Sequence, residues 1–162
     1  MNLVIRPALE AEAPILSDLA LRSKAYWGYD EAFMAACREE LSVAPADIAQ
    51  APWPYMVGTG EPADLDKLLG FYALGRLGPQ QAELEALFVD PSLIGQGVGR
   101  QLISHAMNVL RLSGIKSLKI QSDPSARPFY ERMGAIRIGE SPSGSIKGRL
   151  LPVLGIELAA PI

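Results

Sequence analysis

The chain has 162 residues, of which 49% are hydrophobic and 20% are charged, and its formal net charge is −3. This length and composition predict a single domain spanning residues 1–162, with enough apolar residues for a sizeable core. The small negative charge provides no general attraction to nucleic acid or to an anionic membrane, so we expect neither as a partner.

Cysteine and histidine are scarce, with one of each in the whole chain, Cys37 and His105. A single cysteine excludes an internal disulfide, and the pair leaves no cluster of soft metal ligands, so we expect no bound metal. No stretch approaches the roughly 18 apolar residues of a membrane span, and the N-terminus resembles a strand rather than a secretion signal. We therefore expect a cytoplasmic protein.

The first half of the chain predicts a strand, two helices and further strands. Residues 2–6 form the first strand, and a helix with apolar positions Ile15, Leu16, Leu19 and Ala20 follows Pro7. A second helix follows, and its apolar face is formed by Phe33, Ala36, Cys37 and Leu41. Pro45 marks the interruption after this helix. A short strand and a turn are expected within residues 52–62, then a strand at 68–74 and a turn at 75–81.

The second half predicts a strand–helix–strand unit and two closing strands. Residues 82–89 are nearly all apolar, as in a central strand covered on both faces. A helix from Gly99 to about residue 113, a strand at 118–121 and a helix capped by Ser125 follow. Strands at 135–139 and 150–158 close the chain. The order β-α-α-β-β-β-α-β-α-β-β is mixed α/β, and residues 82–121 supply a parallel strand pair.

A glycine-rich turn leads directly into the helix after the central strand. Gly95, Gly97 and Gly99 alternate there, so several main-chain N–H groups gather at the positive end of a helix, where anions such as phosphate bind. A dinucleotide-binding fingerprint requires glycine or alanine where this chain has Arg100, and a shorter distance from the strand. The nucleotide P-loop is excluded because no lysine followed by serine or threonine closes the turn.

Two motifs resemble the GNAT superfamily of N-acetyltransferases. The first is Val89-Asp90-Pro91 followed by Gly97-Val98-Gly99, and the second is Asp123, Ala126, Phe129-Tyr130 and Gly134. Ile94, Asp123 and Ala135 depart from the family's usual Arg or Gln, Asn and Phe. The resemblance covers nearly the whole chain. It implies the GNAT fold, a mixed central sheet of about seven strands flanked by about four helices, with a splayed parallel pair at the centre.

The resemblance also implies acetyl-coenzyme A (acetyl-CoA) as co-substrate. Its diphosphate would rest on the turn, its pantetheine arm would follow the central strand, and one strand N–H would face the developing oxyanion. The implied cofactor-binding residues are Leu87, Phe88, Val89, Gly95, Gln96, Gly97, Val98, Gly99, Arg100, Asp123 and Arg127.

Three ionisable residues are candidates for the proton transfers of acetyl transfer. Glu83 and Glu85 are spaced to share one face of the central strand, and burial next to each other would raise a pKa toward the range of a general base. They are equally compatible with ordinary surface charges at the end of the strand. Tyr130 matches the family's tyrosine that protonates the leaving thiolate, although its helical stripe alone fits a core aromatic residue.

The acceptor is an amine that the sequence does not specify further, either a small molecule or an amino group of a peptide. Tyr26, Trp27, Tyr29 and Phe33 lie where the family builds its acceptor pocket, and they fit a hydrophobic core equally well. The sequence contains no acidic cluster that would favour a polyamine. No activated nucleophile is evident, so we expect direct transfer in a ternary complex without a covalent acyl-enzyme, and a homodimer is plausible. The alternatives are a non-catalytic acyl-CoA sensor of the same fold and, more distantly, a dinucleotide oxidoreductase module.

Overall fold

The computed structural model describes residues 2–60 and 67–158. Within these ranges the chain forms seven strands, five α-helices and three single 3-10 turns. The strands are β1 (Val4–Pro7), β2 (Met56–Thr59), β3 (Leu68–Arg76), β4 (Gln81–Val89), β5 (Ser117–Gln121), β6 (Ile136–Pro142) and β7 (Leu150–Glu157). The helices are α1 (Ala13–Ala25), α2 (Glu31–Leu41), α3 (Pro45–Gln50), α4 (Val98–Leu112) and α5 (Arg127–Arg132). No helix in these ranges is long and apolar enough to cross a membrane.

The seven strands form one sheet in the order β1-β2-β3-β4-β5-β7-β6, in which only β4 and β5 are parallel neighbours. This pairing is short, because it joins Gln81–Glu83 to residues 117–119 and then stops. Beyond that point β4 stays paired with β3 and β5 with β7, so the two central strands separate. The structure thus confirms the mixed sheet with a splayed parallel pair.

Helices cover both faces of the sheet and bury its apolar side chains. On one face α4 buries Leu102, Ile103 and Leu110 against the sheet, and on the other α1 buries Leu16 and Leu19. β3 is buried on both faces: Tyr72 and Leu74 face α4, whereas Phe71 and Ala73 face α1. Each fully buried side chain of this size contributes roughly 2 kcal/mol of transfer free energy, so these two layers fix the position of the central strands.

A β-bulge interrupts β4 in the middle of the strand. Ala73 pairs with Ala86 and Leu74 pairs with Leu84, which leaves Glu85 as the extra residue. Leu84, before the bulge, and Leu87, after it, both pack on the α4 side, so the alternation of faces reverses at Glu85. The strict two-residue period assumed for the sequence therefore does not hold through this part of the strand.

Two local predictions require correction. Pro45 does not only mark the break after α2, because it is also the first residue of α3, a short helix that the sequence analysis did not predict. Proline is favoured at this position because the first helical N–H needs no partner. Ser125 does not cap α5: it lies within a 3-10 turn, its N–H donates to the Asp123 carboxylate at 2.8 Å, and the helix begins at Arg127.

Candidate active site

A cavity of about 1210 Å³ opens where β4 and β5 separate. Its walls come from α1, β4, the glycine turn, the end of β5, α5 and the loop between β6 and β7. This volume lies above the usual range for a single small ligand, so there is room for a cofactor and an acceptor side by side.

The glycine turn forms one end of the cavity. Gly95 and Gly97 have φ angles of 86° and 88°, a left-handed conformation that is costly for residues with a Cβ atom. The Gln96 N–H is used within the turn, where it donates to the Leu93 carbonyl at 3.1 Å. Among the described residues, no protein acceptor meets the N–H groups of residues 95 and 97–100. These donors fit a diphosphate.

The main chain of β4 forms the floor next to the turn. Leu87, Phe88 and Val89 line the cavity, and the edge of β4 that faces β5 is unpaired after Glu83. The Val89 N–H donates to the Ser23 hydroxyl at 3.4 Å. An extended ligand arm can therefore lie along this edge and bond to the strand.

Glu83 and Glu85 both line the cavity. Partial burial raises the pKa of Glu85, and the charges of Glu83 and Asp47 raise it further. Gly75 on β3 leaves the space for this side chain, because a Cβ atom there would overlap the Glu85 carboxylate. The bulge thus holds a carboxyl group of raised basicity at the cavity wall.

Tyr130 lies on α5 with only 7% of its surface exposed and lines the same cavity. Burial raises the pKa of its phenol well above the usual value, and the charge of Asp123 adds to the shift. No residue in the described ranges accepts or donates a hydrogen bond at its hydroxyl, so the proton is available to a ligand.

Asp123 lies at the centre of an ionic network that the sequence analysis did not anticipate. Its carboxylate accepts hydrogen bonds from Lys24 at 2.6 Å, Tyr29 at 2.8 Å and Arg149 at 3.5 Å. Burial alone would raise the pKa of Asp123, but the hydrogen bonds from Lys24 and from the Ser125 N–H keep it below the usual value. The network ties α1 and the loop after it to the end of β5 and to the β6–β7 loop.

The four aromatic residues proposed for the acceptor pocket occupy different positions. Trp27 lines the cavity, whereas Tyr26 is 51% exposed and contacts Trp27 edge-on at 5.1 Å. Tyr29 and Phe33 stack at 4.0 Å outside the cavity lining, and the Arg149 guanidinium lies 4.8 Å from the Phe33 ring. The rings of Tyr29 and Phe33 thus pack against the charged groups of Lys24 and Arg149.

Three residues proposed for cofactor binding lie outside the cavity lining. The Val98 side chain is buried in the core, and the side chain of Gln96 bonds the Ser92 carbonyl at 3.3 Å. The Arg127 Nε lies 3.2 Å from a carboxylate oxygen of Glu131. In this conformation these three residues can contact a cofactor only through their main chain. A side-chain contact would require the side chain to rotate.

Sequence reasoning missed Lys24, Arg149, Glu40 and Asp47, all of which line the cavity. Each comes from a different segment, and none belongs to a recognisable motif. Asp47 resembles an ordinary helix-capping residue, because its carboxylate accepts the Ala44 N–H at 2.8 Å. Only the charge type of these residues was visible in the sequence. Within the described ranges, no three histidine, cysteine, aspartate or glutamate side chains are placed so that they could hold one metal ion.

The comparisons with known proteins point to one family. A family model described as the acetyltransferase (GNAT) family matches residues 23–135. The peptidyl-lysine N-acetyltransferase YjaB of Salmonella typhimurium is 28% identical over 123 residues, covering 75% of each chain. The N-alpha-acetyltransferase RimI of Mycobacterium tuberculosis is 30% identical over 90 residues, covering 55% of this chain and 56% of RimI.

Solved structures share the fold at low sequence identity. The PaiA N-acetyltransferase of Thermoplasma acidophilum, solved in complex with coenzyme A, superposes with a TM-score of 0.73 at 16% identity, covering 97% of this chain and 99% of that one. At this identity the likeness establishes the fold alone. The family match covers more than half of the chain, and it includes the glycine turn, β4 and Tyr130. The chain therefore belongs to the GNAT family of N-acetyltransferases.

Proposed function

We propose that this protein transfers the acetyl group of acetyl-CoA directly to a primary amine within a ternary complex. The observation that carries the proposal is that one cavity joins the unpaired N–H groups of the glycine turn to Glu85 and Tyr130. An anion site, a base and an acid thus line one continuous space.

The residues at the turn fit the diphosphate of the co-substrate. The N–H groups of residues 95 and 97–100 would hold it, and the open edge of β4 would hold the pantetheine arm. Arg100 and Arg132 line the same end and add positive charge. When bound, acetyl-CoA supplies the thioester carbon that the amine attacks.

Glu85 serves as the base in this proposal, either directly or through water, and Glu83 is the second candidate. An amine with a pKa near 10.4 is mostly protonated at neutral pH, so one proton must leave before the nitrogen can attack. The raised pKa of Glu85 makes it a stronger proton acceptor than an ordinary carboxylate.

Tyr130 serves as the acid. As the new C–N bond forms and the C–S bond breaks, Tyr130 gives its proton to the sulfur. Glu85 passes the first proton of the ammonium to solvent, and the second proton of the nitrogen returns through water to the Tyr130 oxygen. The products are an acetamide and a thiol, with one proton released to solvent. Burial of Tyr130 in an apolar environment also penalises a free thiolate, which favours the transfer.

The names of the relatives support an amine acceptor, since YjaB is named for peptidyl-lysine and RimI for N-alpha-acetylation. Two earlier expectations remain predictions, a cytoplasmic location and a homodimer. The single cysteine fits a reducing compartment. Ile136 and Ile138 are exposed on the edge strand β6, which fits an edge that a second copy could cover.

Thiol release from acetyl-CoA, measured across a broad panel of amines, tests the proposal. We expect release that depends on an amine and rises with pH as Glu85 loses its proton. Calorimetry with coenzyme A provides the second readout. Binding without release for any amine would favour the acyl-CoA sensor, and the absence of both would contradict the proposal.

A further inference from the structure

Three carboxylates gather at the end of the cavity opposite the glycine turn. Asp47 on α3 and Glu83 and Glu85 on β4 all line it, and the charges of Asp47 and Glu83 both act on Glu85. Within the described ranges none of the three has an ion-pair partner, whereas Asp123 is paired with both Lys24 and Arg149. Lys119 is the register partner of Glu83 on β5 but lies outside the cavity lining, so the lining at this end carries negative charge.

Tyr55 gives a second and independent indication of a ligand. Only 9% of its surface is exposed, and it lines the cavity next to the three carboxylates. No hydrogen bond to its hydroxyl occurs among the described residues, and the hydroxyl oxygen is open to the cavity, so it is available to a ligand. A ligand with N–H donors would supply that partner and would at the same time neutralise the carboxylates.

A shallow side pocket of about 210 Å³ borders this end of the cavity. It shares Asp47, Tyr55 and Glu85 with the main cavity, and Ala51 and Pro52 form apolar parts of its wall. Its volume corresponds to roughly seven water molecules at liquid density. Such a pocket suits a short alkyl chain that ends in an ammonium group: the methylenes contact the apolar wall, and the ammonium contacts the carboxylates and the phenol oxygen.

We propose that the side pocket binds a second ammonium group of the acceptor, so that the preferred substrates are aliphatic diamines. This inference rests on the proposed acetyl transfer. One amine reacts near Glu83 and Glu85 after losing a proton, and the other stays charged between Asp47 and the Tyr55 hydroxyl. The acidic cluster was invisible in the sequence because Asp47 lies far from β4 along the chain.

The test compares 1,4-diaminobutane with butylamine, which has the same chain and one ammonium fewer, by thiol release from acetyl-CoA. We expect kcat/KM to favour the diamine by about tenfold or more, the usual value of a charge-assisted contact. Asp47→Asn should bring the ratio toward one, mainly through KM for the diamine. Asparagine keeps an oxygen that can accept the Ala44 N–H, so α3 should remain capped.

Tyr55→Phe removes only the hydroxyl and should lower the same ratio by about threefold, the value of a single neutral hydrogen bond. Asp18→Asn is the matched control, because it removes the same charge from the exposed face of α1 and should keep the ratio. If Asp47→Asn lowers the melting temperature too far for assay, the diamine preference of Tyr55→Phe alone tests the side pocket. High salt should weaken the preference in the wild type.

Equal kcat/KM for the two amines in the wild type would overturn the inference and leave acetyl transfer intact. A diamine preference that survives both Asp47→Asn and Tyr55→Phe would overturn the assignment of the side pocket. No thiol release with either amine, or with any amine of the broader panel, would contradict the proposed function itself.

Discussion

The end of the cavity at the glycine turn is built from main-chain N–H groups of neighbouring residues, whereas the opposite end is built from side chains of separate segments. Gly95 and Gly97 set the first end through their φ angles, independently of charge. Asp47, Glu83 and Glu85 set the second through charges brought together by α3 and β4. A substitution at the turn should therefore act through backbone conformation, and one at the acidic end through charge and side-chain position.

The largest expected effect lies between the two ends, at Tyr130. Tyr130→Phe should lower kcat by about a hundredfold or more, the usual value of general acid catalysis, while leaving the affinity for coenzyme A nearly unchanged. Pre-steady-state thiol release and calorimetry measure the two quantities. Tyr72→Phe is the control: its buried hydroxyl bonds His105 Nδ1 at 2.7 Å, away from the cavity lining, so its loss should reduce stability and leave kcat unchanged. An unchanged kcat in Tyr130→Phe when chemistry is rate-limiting would remove the acid role.

At the turn, Gly97→Ala tests whether backbone conformation is what binds the co-substrate. A Cβ atom at a φ of 88° costs about 1–2 kcal/mol and would tilt the N–H groups, so we expect the Kd for coenzyme A to rise about tenfold. Gly114→Ala is matched, because Gly114 has a φ of 79° just after α4 and open space around it. It should lower the melting temperature to a similar extent with no change in Kd. Equal losses of affinity in both variants would mean that general destabilisation, not the turn, is responsible.

Asp123→Asn tests the ionic network at the end of β5. Removing the charge that pairs with Lys24 and Arg149 should lower the free energy of unfolding by about 2 kcal/mol near pH 7. Because the pKa of Asp123 is below its usual value, this contribution exists above the unfolded pKa of about 3.9 and disappears as the pH falls through the folded value. Urea unfolding at several pH values should therefore show the two proteins converging in acid.

The same substitution should raise KM for the acceptor several-fold, since the network fixes the segments around the cavity. Glu12→Gln offers a comparison, because Glu12 is a nearly buried carboxylate paired with Arg6 and lies outside the cavity lining. It should reduce stability without changing KM. A stability difference for Asp123→Asn that persists in acid once Asp123 of the folded wild type is protonated would show that the charge is not the cause.

The smallest effect is expected at Gly75, which leaves room for the Glu85 carboxylate. Gly75→Ala should displace that side chain by a few tenths of an ångström to more than one and lower kcat/KM by about threefold, since the flexible end of Glu85 can move. Gly78→Ala, in the turn between β3 and β4, places its Cβ atom in open space and should have no effect. A crystal structure of Gly75→Ala with Glu85 unmoved, together with reduced activity, would exclude this explanation.

The order of most elements and the backbone conformation of the glycine turn were predictable because both depend on local sequence. The apolar stripe of α4 and the apolar run of β4 encode their packing. The alternating glycines allow left-handed φ angles, which residues with a Cβ atom adopt only at a cost in free energy. Residue periodicity could not show that Glu85 is the bulged residue, because a bulge arises from the register against β3. It also gave no reason to expect α3, whose six residues are too few for a periodic signal.

The sequence by itself determined the fold class and, through its family resemblance, the splayed strand pair. It also determined the left-handed glycine turn, since such a turn needs only consecutive residues with the right backbone freedom. Only the tertiary structure decided that Asp123 pairs with Lys24 and Arg149, and that Asp47 and Tyr55 join Glu83 and Glu85 in one acidic pocket. Contacts between side chains distant along the chain depend on strand register and helix packing, which are properties of the whole fold.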